Sequence, residues 1–136
     1  MVTKISILFI GLLGVLNSNW ISNDDRKDDY TFAFYKIDNK VEIIVNDSLI
    51  YSTGEMKGNP DLEGNLTYKV GHLLTKGRDE VIVRLYNGHE PYSPDKKDQH
   101  WEIEYSLFKN GKEYDLMWDE GDDYRTGLVF EETYFL

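Results

Sequence analysis

The 136-residue chain contains no cysteine. That excludes disulfides, thiolate nucleophiles, Cys-ligated zinc and a cysteine-linked lipid anchor together. Cations are scarce as well. Fifteen Lys and Arg face 25 Asp and Glu, for a formal net charge of -10 and a pI of about 4.7. Phosphate backbones are held by clustered Lys and Arg, so this balance argues against nucleic acid and against docking on an anionic membrane. No long stretch repeats its apolar residues at the 3.6-residue period of a helix.

A run long enough to cross a bilayer is also missing. The longest, Ile5 to Leu16 within MVTKISILFIGLLGVLNSNW, is interrupted only by Ser6 and glycines, and falls short of the about 20 apolar residues a span needs. Its position after Lys4 fits a secretory signal. We read residues 1–18 as signal peptide, 19–29 as a polar lead-in and 30–136 as the folded domain. An uncleaved anchor and a buried helix are the alternatives. With the signal removed no membrane span is left, and the expected location is secreted, periplasmic or extracellular.

What the chain does have is aromatic residues and two-residue periodicity. Ten tyrosines contribute to an aromatic content of 14%, which favours strands. In WEIEYSLF, Trp101, Ile103, Tyr105 and Leu107 share one face, with Glu102, Glu104 and Ser106 opposite. Val41, Ile43 and Val45 alternate likewise, as do Leu66, Tyr68 and Val70, and Val81, Val83 and Leu85. Phe32 and Phe34 open the series, Tyr114, Leu116 and Trp118 form a further apolar face, and GLVFEETYF closes it. Asn110-Gly111 sits between two such runs, a strong hairpin signal because both central residues take positive φ. Asn46-Asp47 is a weaker version. About eight strands result, predicting an all-β, antiparallel β-sandwich. The longest irregular piece, residues 87–100, holds two of the three prolines, and loops of that length commonly carry function.

The order VEIIVND, SLIYSTG, then HLLTKG, then EVIVRLYNG resembles the galactose-binding-like β-sandwich (a jelly-roll type) found as an accessory domain of glycoside hydrolases. The likeness covers about residues 41–88, with Asp47 standing where that family favours Gly. It implies that Leu73 and Leu74 form one helical turn stoppering the sandwich, that Lys76-Gly77 turns the corner, and that the domain tends to meet carbohydrate. It implies no catalytic residue.

Several constellations offer side chains suited to chemistry. Asn59, Asp61, Glu63 and Gly64 open like a calcium loop, but Val70 stands where the closing Glu belongs. Asp119, Glu120, Asp122 and Asp123 crowd one turn, as a cation site or a solvated one. His89 and His100 bracket Glu90, Asp95 and Asp98, a conceivable metal set. Glu102 and Glu104 share a strand face, as a carboxylate pair or as the exposed side of a strand. No nucleophile motif surrounds any serine. Metal ligands stay open, and no cofactor beyond calcium is suggested. Sugar rings stack on exposed aromatics while carboxylates take their hydroxyls, so the expected ligand-binding residues are Tyr92, Trp118, Asp122 and Tyr124. Trp118 has a competing place in the core, and Trp101 is expected to be structural. The expectation is a non-catalytic module for carbohydrate or cell-surface glycan. The alternative is an immunoglobulin-like sandwich that meets extracellular protein and no small ligand.

Overall fold

The computed structural model describes residues 27–75 and 77–136. The expected signal segment, most of the expected polar lead-in and Lys76 lie outside them. Eight strands follow one another: β1 (Tyr30–Ile37), β2 (Lys40–Val45), β3 (Ser48–Ser52), β4 (Asp61–Lys69), β5 (Glu80–Asn87), β6 (Trp101–Lys109), β7 (Lys112–Gly121) and β8 (Gly127–Phe135). They form two antiparallel four-stranded sheets, ordered β4-β1-β6-β7 and β3-β2-β5-β8. The β-sandwich expected from the alternation is therefore the architecture of the chain.

The alternating residues fill the space between the sheets. Phe32 and Phe34 of β1, Val81, Val83 and Leu85 of β5, and Ile103, Tyr105 and Leu107 of β6 are all fully buried. Each such side chain contributes about 1.5–3 kcal/mol by leaving water. Tyr105 brings a hydroxyl into this core, and it meets the Tyr134 hydroxyl at 3.0 Å, which in turn donates to Asp115 Oδ2 at 2.9 Å. Burial pushes the Tyr105 phenol far above its ordinary value, so it stays neutral.

Both two-residue hairpins take the conformation that the twist of antiparallel strands prefers. Asn110 and Gly111 have φ of 52° and 78°, while Asn46 and Asp47 reach 46° and 66° without a glycine. The Asn46 amide compensates: it donates to Asp79 Oδ1 at 2.8 Å and accepts from the Glu80 N–H at 3.0 Å.

Two expectations need correction. A single 3₁₀ turn, Gly71–Leu73, does interrupt the strands, but only Leu74 enters the core, at 5% exposure against 39% for Leu73. Leu74 follows the turn in extended backbone and is pinned through Thr75, whose N–H and Oγ1 both donate to the Asp79 carboxylate at 2.8 Å. The second correction concerns β7. Tyr114, Leu116 and Trp118 are not a core face; they are 55–57% exposed. A register shift opposite Leu107 and Phe108 leaves Asp115, Met117 and Asp119 paired with the inward Leu107, Tyr105 and Ile103. The alternation was right and its face inverted. β7 is an edge strand, where an inward position is open enough to water for a carboxylate.

Strand direction sorts the connections into two ends. Segments 38–39, 53–60, 88–100 and 122–126 gather at one, while the hairpins at 46–47 and 110–111 and the segments 70–75 and 77–79 occupy the other.

Candidate functional site

The end that collects the long loops is organised by buried polar residues. Asn39, at the corner between β1 and β2, donates its backbone N–H to Tyr86 O and its amide Nδ2 to Met56 O. Its Oδ1 accepts from the Gly88 N–H at 2.6 Å. One side chain thus ties the corner to both neighbouring loops. Asn87, fully buried at the end of β5, does the same for the next pair, its Nδ2 reaching Arg125 O at 2.8 Å and Asp98 O at 3.2 Å.

These anchors hold segments 88–100 and 122–126 side by side, and between them lies a cleft of about 370 Å³. Tyr92, Ser93, Lys96, Tyr124, Arg125 and Thr126 line it. Thr126 Oγ1 donates to Lys96 O at 3.1 Å, and Lys96 Nζ to Pro91 O at 2.9 Å. The two walls are therefore braced before any ligand arrives, which reduces the ordering cost of binding. Tyr92 stacks on Tyr86 with centroids 5.9 Å apart, and its hydroxyl is buried with no partner among the described residues. Tyr124 stands 52% exposed at φ 59°, a left-handed backbone that a bulky side chain adopts at a cost of about 1 kcal/mol or more.

Beneath Tyr92 lies a buried lysine. Lys40 Nζ contacts Glu90 at 2.8 Å and Glu42 at 3.1 Å, and sits 4.5 Å from the Tyr86 ring centroid. Burial works against its charge, but the two carboxylates outweigh it and hold the ammonium above its usual range. Arg125 is likewise committed: it pairs with Asp123 and lies 5.7 Å from the Trp101 ring, whose Nε1 donates to the same carboxylate.

A second group forms around Glu102. Trp118 Nε1 donates to Glu102 Oε1 at 3.3 Å, Asn59 Nδ2 to Glu102 Oε2 at 3.0 Å, and His100 Nε2 lies 3.8 Å from the same oxygen. His100 Nδ1 contacts Asp122 Oδ1 at 2.8 Å. That bond to Asp122 raises the imidazole above its ordinary value against the opposing effect of burial. Asp38 is 8% exposed close by, and burial first, then the Asp98 carboxylate, raise its acid group.

Of the four expected ligand residues, the structure brings Tyr92 and Tyr124 into one cleft. Trp118 and Asp122 fall in the neighbouring group, linked through Glu102 and His100. Asp122 is engaged by His100, and Trp118 is free of the core. The imagined metal sets do not assemble. His89 pairs with Glu55 and His100 with Asp122, Asp122 and Asp123 turn to different partners, and Asp61 accepts the Glu63 N–H within its own turn. No three His, Asp or Glu side chains converge on a common point among the described residues. Glu102 and Glu104 are not a matched pair: Glu102 accepts from Trp118 and Asn59, whereas Glu104 lies opposite Trp118 in register. Sequence reading passed over Asn39, Lys40, Asn87 and Arg125, because isolated polar residues at strand ends look like solvent-facing turns. A comparison with protein-family models, curated proteins and solved structures gives no match to this chain.

Proposed function

We propose that this chain is an exported, non-catalytic recognition module that binds carbohydrate at the loop end of its sandwich. The observation that carries the reading is the braced cleft in which Tyr92 and Tyr124 come together with Ser93, Lys96 and Arg125. A sugar ring presents an apolar C–H face to the exposed Tyr124 ring and hydroxyls to the surrounding polar groups. The likeness of residues 41–88 to galactose-binding-like sandwiches and the N-terminal signal pattern support the same reading. Binding to a panel of immobilised polysaccharides tests it, with Tyr124→Ala as the diagnostic variant. The expected result is saturable binding to at least one glycan, weakened about tenfold in Tyr124→Ala, the order of one stacked aromatic contact. Its melting temperature should be unchanged. Flat responses across the panel, or equal binding by the variant, would refute the proposal.

A second reading, a sandwich that meets extracellular protein and no small ligand, is favoured by one separate observation: the apolar face of β7 turned to solvent.

A further inference from the structure

Sheets usually blunt their edges, since a row of unpaired backbone N–H and C=O groups invites another strand. Three of the four edges here follow that practice. β3 is only five residues long. β4 follows Pro60 and is bent by Glu63 and Gly64, with φ of 51° and 72°. β8 has a register shift near its start and holds Glu131 against Arg84 at 2.7 Å. β7 does not. From Asp115 to Gly121 it runs in unbroken register with β6, with no proline and no lysine. Leu116 and Trp118 lie along its outer face at 56% and 57% exposure, where an isolated edge would carry charge.

The two faces of this edge differ in chemistry. Beside Leu116 and Trp118 on the outer face, a strand added to the sheet would place apolar side chains. On the other face Asp115 and Asp119 flank Met117; Asp115 accepts the Tyr134 hydroxyl and Asp119 the Glu120 N–H, and among the described residues neither carboxylate is paired with a cation. A strand laid there would meet carboxylates. We propose that β7 is a docking edge for an extended segment of another protein in which apolar residues alternate with Lys or Arg. Main-chain hydrogen bonds extend the sheet, and the alternation matches Leu116 and Trp118 on one side and Asp115 and Asp119 on the other. In the symmetric register centred on Met117, a second copy of this chain is a poor occupant. Antiparallel pairing of two β7 strands about Met117 would set Asp115 of each against Asp119 of the other, and like charges directly opposed destabilise a sheet.

The test uses the full chain and an acetylated nine-residue peptide alternating Lys and Val, titrated calorimetrically at low ionic strength. Saturable one-to-one binding is expected, weakened about tenfold or more by Trp118→Ser, by Asp119→Lys, and by N-methylation of alternate peptide backbone nitrogens. Both substitutions are at exposed side chains and leave the core intact. Equal affinity for the N-methylated peptide would overturn the proposal, because general attraction between a cationic peptide and an acidic protein would then explain everything. Sedimentation provides a second readout. A wild-type dimer that Trp118→Ser dissociates would also overturn it, by making a second copy the occupant.

Discussion

Replacing Leu74 and Leu73 by alanine, one at a time, discriminates sharply between the two leucines at the closed end of the sandwich. Leu74 is 5% exposed and belongs to the core cluster. Leu-to-Ala changes at buried sites cost about 2–5 kcal/mol, and the value within that range depends on how far the surroundings collapse into the space left behind. Here collapse is restricted, since Thr75 is fixed to Asp79 by its N–H and its hydroxyl, and Asp79 is fixed to Asn46. We therefore expect Leu74→Ala to cost about 3–4 kcal/mol, a large part of the about 5–15 kcal/mol that holds a domain folded. At about 4 °C per kcal/mol for a domain of this size, the melting temperature falls by roughly 12–16 °C. Leu73 is 39% exposed, and its replacement should cost less than about 1 kcal/mol. Urea unfolding followed by tryptophan fluorescence gives both values with an unchanged m. Equal destabilisation by the two variants would refute the assignment of Leu74 alone as the stopper.

Gly121 lies opposite Trp101 in register, and a Cβ there would fall 2.5 Å from the indole Cε2 and Nε1. Gly121→Ala should displace the ring and cost about 1–3 kcal/mol, with a shifted tryptophan emission; a melting temperature within about 1 °C of wild type would contradict the packing. Asp38 offers a test by pH. Its folded-state pKa is raised, chiefly by burial, so ionisation penalises the folded state, and the penalty grows as pH rises from the unfolded value of about 3.9 through the folded one. Asp38→Asn should therefore be more stable than wild type at neutral pH, with the gap closing as the solution is acidified; a gap that is constant or reversed across urea melts at several pH values would show the carboxylate to be well solvated.

The sandwich was legible because period-two alternation needs no tertiary information. A strand packed on one side announces itself, as the buried set from Trp101 to Leu107 does. Which side is packed is a different matter. For β7 the alternation was as clean as elsewhere, yet a one-residue register shift opposite Leu107 and Phe108 turned Leu116 and Trp118 outward, and nothing local to the strand encodes that shift. The loop end was legible only in part. Tyr92 and Tyr124 stood out as aromatics in irregular segments. Asn39 and Asn87, which position the loops carrying them, act through amide contacts reaching up to 49 residues along the chain. Such contacts leave no trace in spacing or periodicity. The Leu73–Leu74 pair shows the same limit at close range, since a 3₁₀ turn gives two adjacent residues opposite fates.

The two-ended layout of the sandwich has a practical outcome. Asp29 is joined to Asn110 by hydrogen bonds in both directions, and Leu136 pairs through its backbone with Asp79, so both ends of the described chain lie at the end opposite the cleft. A tag, linker or tether joined at either point would leave the tyrosine cleft directed away from the attachment, free for presentation on a bead, a cell or a larger polypeptide.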